Sequence, residues 1–340
     1  MQERKFIHYL VISLKGMAMG AADVVPGVSG GTIAFISGIY EELLTSISAV
    51  NFKTLKLLKT DGIKAAWKAI NGNFLIALVI GIFISILSLA KLISWLLDNH
   101  PILVWSFFFG LVLASILYIG KQITKWNSLV VVGLLAGAGI AYYITTLQPL
   151  ISENSSPLFL FLAGAIAICA MILPGISGAF ILLLMGAYKT VIDSVNDKDF
   201  KVIGILALGA IVGLLTFSKI LKWLFNNYKN YTLAVLTGFI LGSLNKIWPW
   251  KKTISVLQDE TKLLIPFSEI SDLGTLSVFQ KQINNFESYD AVMEVSILPI
   301  QYSELNNYVD DKLIYATLFM LIGFAIIILL ERIANSSEKK

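Results

Sequence analysis

The chain has 340 residues, 56% of them apolar and only 14% charged, with a mean hydropathy of +0.78. Soluble domains carry roughly 25% charged residues, so the composition defines an integral membrane protein. The net charge of +4 is spread over loop clusters and points to no nucleic-acid partner, and the lone Cys169 excludes an internal disulfide. With His8 and His100 far apart, no metal site or cofactor is expected.

Arg4 and Lys5 precede an apolar run that is interrupted by Lys15 and lacks a small-residue cleavage site, so the run is expected to be retained. The first broken segment covers about 8–47 and contains Ala22-Asp23-Val24-Val25-Pro26-Gly27-Val28-Ser29-Gly30-Gly31. Proline removes a backbone donor and glycine admits positive φ, so a helix should end at Pro26-Gly27, turn and restart. Ser29 or Thr32 can cap the new helix. A Lys-rich stretch follows at 51–72, with Phe52, Leu55, Leu58, Ile63, Ala66 and Trp67 between its lysines. That pattern suits an amphipathic helix lying on the membrane surface. Spans are then expected at 74–97, 102–119 and 129–148, long enough for a hydrocarbon core of ~30 Å.

A second broken segment covers about 158–195 and repeats the motif as Ala170-Met171-Ile172-Leu173-Pro174-Gly175-Ile176-Ser177-Gly178-Ala179. Each broken segment should have arms of roughly 15–20 residues, marginal for crossing a bilayer. Further spans are expected at 202–222, 231–247 and 313–331. Between the last two, 250–312 holds ten acidic and five basic residues and strand-like pieces such as Tyr289 to Leu298, which suggests a small subdomain.

The duplication extends past the motif. Gly16, Gly38 and Tyr40 match Gly164, Gly186 and Tyr188, while Gly81, Lys91, Trp95, Asn99, Gly110 and Ser115 match Gly209, Lys219, Trp223, Asn227, Gly238 and Ser243. Short cytoplasmic loops are enriched in Lys and Arg. Treating both broken segments as re-entrant hairpins places every loop correctly, with both termini cytoplasmic and 250–312 outside. Three crossings between the hairpins make the repeats inverted. The expected fold is therefore all-α: residues 1–120 form one repeat, 121–150 a linking helix and 151–248 the second repeat. An extracytoplasmic loop or subdomain at 249–312 and a last helix with cytoplasmic tail at 313–340 complete it. Two matched broken helices in such a repeat mark a transporter's binding site, and the hairpin tips should meet near the midplane.

The chemistry expected at the tips is anion binding. A restarting helix leaves N–H groups unpaired at its positive end, and glycine lets a phosphate approach them. Ser29, Gly30, Gly31, Thr32, Ser177 and Gly178 are the candidates, with Pro26, Gly27, Pro174 and Gly175 making the breaks. The alternative is that these residues only turn the chain and pack helices. Asp23 has Met171 as its repeat partner, so the turn does not need it; it is either a proton-coupling carboxylate or a local cap. Lys91 and Lys219, each one turn before a tryptophan, either attract an anionic headgroup or snorkel beside an aromatic belt. Glu41 and Glu42 read as solvated and 133–139 as helix packing. A serine protease is disfavoured because it needs a membrane-embedded histidine as base, and His8 and His100 both lie at segment ends. A lipid phosphatase is disfavoured because the only arginines are Arg4 and Arg332, at the chain ends.

The run Gly20-Ala21-Ala22-Asp23-Val24-Val25-Pro26-Gly27-Val28-Ser29-Gly30-Gly31-Thr32, together with Leu173-Pro174-Gly175-Ile176-Ser177-Gly178, resembles the family once labelled domain of unknown function 368. Its members are regarded as undecaprenyl-phosphate (polyprenyl-phosphate) translocases of bacterial plasma membranes. The resemblance covers most of 1–247 and the last helix. It implies a flippase, not an enzyme, that returns the carrier lipid from the outer to the inner leaflet for envelope synthesis. The phosphate would sit between the hairpin tips while the prenyl chain stays in lipid. A secondary carrier for a small soluble anion would share the repeat and the helix-end site but need no lateral gate.

Overall fold

A computed structural model describes residues 4–25, 28–147, 156–258, 264–267, 289–305 and 311–337. Its elements begin with helices α1 (Phe6–Val24), α2 (Gly30–Ile36) and α3 (Tyr40–Ser48), then α4 (Phe52–Thr60) and α5 (Gly62–Ala69). Three long helices follow: α6 (Gly72–Asn99), α7 (Pro101–Gly120) and α8 (Ser128–Thr146). The second half runs α9 (Pro157–Ile172), α10 (Gly178–Leu184), α11 (Tyr188–Asn196), α12 (Phe200–Asn227) and α13 (Lys229–Ser243). After strands β1 (Lys251–Gln258), β2 (Leu264–Pro266) and β3 (Tyr289–Ser296) come α14 (Pro299–Leu305) and α15 (Leu313–Ser337). Among the described residues four helices, α6, α7, α8 and α12, are long and apolar enough to cross a membrane. The chain is a mostly helical, multi-pass membrane protein.

The helices pair through small residues, as expected where lipid tails give apolar side chains no reason to prefer protein. Ser13 on α1 donates to the Ala77 carbonyl of α6 at 2.8 Å, and Gly16, Gly20 and Gly81 let these two backbones touch. Gly164 and Gly209 do the same for α9 and α12. Gly110 on α7 abuts the Met320 carbonyl on α15, and Gly323 abuts that of Phe107. The same arrangement joins α13 to α8: Gly238 abuts the Leu134 carbonyl and Gly137 that of Val235. Thus α15 stands to α7 as α8 stands to α13. Helix α8, expected as the linking helix, and α15, expected as an extra one, each pack on the second long helix of the other half. The 250–312 stretch separates α15 from α13 and hides this likeness in the sequence.

One end of the bundle is tied by polar contacts. Arg4 pairs with Glu42 at 2.7 Å, Asn71 also donates to Glu42, and Lys229 pairs with Glu41 at 2.7 Å. Glu41 and Glu42, expected to be merely solvated, join α3 to the starts of α1, α6 and α13. At the same end Thr124 and Asn127 bond Asn230 and Tyr231. At the other end Asn245 donates to Thr145, and Trp250 and Tyr302 pack with Ile102 and Ala316. A three-stranded antiparallel sheet, in the order β2-β1-β3, lies there, and its last strand covers the expected strand-like piece at Tyr289.

Three expected boundaries change. The second arm of each broken segment is two short helices rather than one of 15–20 residues. Gly38 (φ +73°) and Gly186 (φ +72°) end α2 and α10 in left-handed conformation, with Ile39 and Ala187 N–H groups reaching back to the Ala34 and Leu182 carbonyls. The span expected over 231–247 ends at Ser243, where Asn245 turns to bond Thr145 and Ser296. The Lys-rich stretch forms two helices, broken at Gly62 (φ +81°), with Phe52, Leu55 and Ile63 exposed.

Gly238→Leu should be strongly destabilising, since its side chain would enter the α8 backbone, whereas Gly139, with open space beside it, should accept alanine. Overpacking costs about 1–3 kcal/mol or more. Thermal unfolding in detergent should show a clear loss for the first variant and none for the second.

Candidate functional site

The two breaks meet. Where α9 ends, the carbonyls of its last turn lack helical partners. Those of Met171 and Ile172 accept hydrogen bonds from the Ser29 hydroxyl at 3.3 Å and the Tyr40 hydroxyl at 3.1 Å. In return the Gly175 N–H donates to Thr32 Oγ1 at 2.9 Å. Gly31 makes this closeness feasible, because a Cβ there would lie 2.7 Å from the Ile172 carbonyl oxygen. Ser29 and Thr32 are each only 1% exposed.

The first break is satisfied from within as well. Ser29 has extended backbone and caps α2, accepting the Gly31 N–H at 3.1 Å. Asp23 accepts the Gly30 N–H at 2.6 Å, and the Thr32 and Ile33 N–H groups bond the Ser29 carbonyl. Every N–H from Gly30 to Ile33 therefore has a partner. Lys15, in the middle of α1, donates to the Ser37 carbonyl at 2.6 Å and ties α1 to the end of α2. With the Asp23–Gly30 and Arg4–Glu42 contacts, these rungs show the chain folding back along α1.

The second break is different. Gly175 adopts φ +89° after Pro174, and Ser177 precedes α10 without capping it. Met171 replaces Asp23 and is exposed, and Ala179 replaces Gly31. Gly178 is buried against the Ala167 carbonyl. Ser177 and Gly175 line a narrow cleft shared with Thr145, Phe180 and Lys246. The Lys246 ammonium lies 4.8 Å from the Phe180 ring centre, within range of a cation–π contact.

The structure thus brings Ser29, Gly31 and Thr32 into direct contact with the end of α9 and the turn around Gly175, with Asp23 holding Gly30, and sets Ser177 beside a narrow cleft. Pro26 and Gly27 lie outside the described residues. Lys91 and Lys219 lie exposed on α6 and α12, and none of the described contacts joins them to the tips. Their tryptophans, each 54% exposed, are held alike: Asn99 and Asn227 donate to the Trp95 and Trp223 carbonyls at 2.7 and 2.8 Å. Tyr40, Lys15 and Lys246 went unassigned in the sequence. The first was visible only as one of the matched pairs, and each lysine as a single cation in an apolar stretch.

Fold and site together define a membrane transporter-like protein built on two broken helices that touch. Residues 19–264 match the model of the VCA0040-like, undecaprenyl phosphate translocase-like family, and the chain belongs to that family. It is 54% identical over 251 residues to the polyprenyl-phosphate transporter of Vibrio cholerae serotype O1, covering 74% of this chain and 81% of the relative. It is 34% identical over 274 residues to the polyprenyl-phosphate transporter of Staphylococcus aureus, covering 76% and 91%. No solved structure matches the chain.

Thr32→Val should leave the Gly175 N–H without its acceptor, at a cost of about 1–3 kcal/mol, while Thr32→Ser should keep the bond. Unfolding measurements should separate the two variants.

Proposed function

We propose that this chain carries undecaprenyl phosphate, or a related polyprenyl phosphate, from the outer to the inner leaflet of the bacterial plasma membrane, for reuse in envelope synthesis. In this scheme the halves form an inverted repeat, the broken segments are re-entrant hairpins, and the phosphate passes between their tips by alternating access. The observation that carries it is the contact between the two breaks, with one break closed and the other beside a cleft. The relatives named above are called polyprenyl-phosphate transporters, which supports the choice of cargo.

The end tied by Arg4, Glu41, Glu42 and Lys229 also carries the Lys-rich 51–72 stretch and is taken as cytoplasmic. Helix α1 starts there, whereas α9 starts beside the beginning of α12, toward the sheet. The closed break then faces the cytoplasmic half, and the Ser177 cleft opens on the outer half, suited to loading from the outer leaflet. Exchange of the two breaks' states would expose Ser29, Gly30, Gly31 and Thr32 inward in place of Ser177, with Gly178, now buried against the Ala167 carbonyl, freed only as the second break moves. The prenyl tail stays in hydrocarbon, because each CH₂ exposed to water costs ~0.8 kcal/mol.

Inward movement of an anion opposes an inside-negative potential by ~2.3 kcal/mol per charge at 100 mV. Asp23 offers a means of offsetting it. As a carboxylate it occupies the Gly30 N–H and repels phosphate; once protonated it yields that donor to the anion. Phosphate binding at the first break should therefore strengthen as pH falls. Asp23→Asn should flatten the pH dependence of transport, and a variant with rate and pH profile both unchanged would sink the coupling.

In liposomes, wild-type protein should deplete outer-leaflet undecaprenyl phosphate rapidly. The Ser29→Ala, Ser177→Ala double variant should be slower by about tenfold or more, as expected for lost hydrogen bonds to a charged group. No depletion by folded wild type, with and without a pH gradient, would favour the carrier of a small soluble anion.

A further inference from the structure

We propose that Lys246 captures the phosphate of the incoming lipid at the outer cleft, an assignment that rests on the chain being a polyprenyl-phosphate carrier. Its ammonium borders the cleft beside Ser177 and is held by the Phe180 ring. Among the described residues it makes no hydrogen bond and no ion pair. The neighbouring charges are already matched: Lys251 lies 3.5 Å from Glu294 and 4.0 Å from the Trp105 ring centre. Two cations, Lys246 and Lys251, thus share the one carboxylate of Glu294, which lies against Lys251 and leaves Lys246 without an anionic contact partner of its own among the described residues. Holding a cation partly out of water with so little compensation is costly, so its retention points to an anion supplied from outside the protein.

The rest of the cleft selects the kind of anion. Ser177 offers a hydroxyl that caps nothing, whereas Thr145 is engaged with Asn245 and the Tyr142 carbonyl. The remaining wall is apolar, formed by Ala141, Ile144 and Ile176. On α8 beside it, Ile140 and Tyr143 are 52% and 64% exposed, so the helix bordering the cleft turns an apolar face outward. One ammonium and one hydroxyl beside an apolar wall match the chemistry of a phosphate monoester on a hydrocarbon tail, which the narrow slot must widen to admit. Free phosphate would leave that wall without a partner. The position equivalent to Lys246 in the first half is Tyr118, so the capturing cation belongs to the outer face alone. Loading is thereby favoured from one leaflet.

The test uses full-length protein in detergent, with farnesyl phosphate, farnesol and inorganic phosphate titrated separately by calorimetry. Lys246→Gln should weaken farnesyl phosphate binding by about tenfold or more and leave farnesol unaffected, while Lys246→Arg stays close to wild type. Inorganic phosphate binding as tightly as farnesyl phosphate would overturn the lipid assignment. Equal farnesyl phosphate affinity in wild type and Lys246→Gln would overturn the role of Lys246 and leave the carrier function standing. Failure of wild type to bind or translocate farnesyl phosphate would overturn both. An unmutated readout guards against misfolding: farnesyl phosphate should protect Lys246 of wild type from amine acylation, read by peptide mass spectrometry. Equal labelling with and without it would refute the proposal.

Discussion

Everything at the centre of this protein follows from the cost of breaking a helix away from water. Each unpaired N–H or C=O in hydrocarbon costs several kcal/mol. Here the last carbonyls of α9 are satisfied by hydroxyls from the other broken segment, and the Gly175 N–H by Thr32. The two breaks are therefore each other's solvent. Neither could be moved alone without exposing the polar backbone of its partner, so their contact is where the halves of the molecule are coupled.

Around that contact the scaffold is built from glycine against carbonyl. Close approach gives helices van der Waals contact that apolar side chains cannot improve on in lipid. The same contact recurs between α7 and α15 and between α13 and α8. Each half thus lends its third long helix to the other. Under the proposed alternating access, such an exchange would make the halves move against each other as interlocked bodies rather than as separate domains.

The breaks are alike in sequence and unlike in state. Asp23 and Ser29 consume the donors of the first; the second has Met171 and an uncapped Ser177, with Lys246 nearby. A duplicated motif with one closed and one open copy is what the proposed carrier requires of any single conformation. The departures from symmetry, Asp23 for Met171 and Lys246 for Tyr118, are where direction and coupling can reside.

Much of this was legible in the amino-acid order. The long apolar runs, the paired Pro-Gly breaks and the matched glycines are local signals, because span length and backbone freedom depend on neighbouring residues. Sequence alone therefore determined a membrane protein with two broken helices, and pointed to Ser29, Thr32 and Ser177. Gly38 and Gly186, which admit the left-handed turn, are the local trace of the short α2 and α10 within otherwise continuous apolar runs. Only the tertiary structure decided that Ser29 and Tyr40 cap a helix more than a hundred residues away, and that Asp23 faces Gly30. It also decided that Lys246 shares a cleft with Ser177. Those outcomes depend on which helices pack together, and packing of apolar helices through small residues leaves little trace in any one stretch of chain.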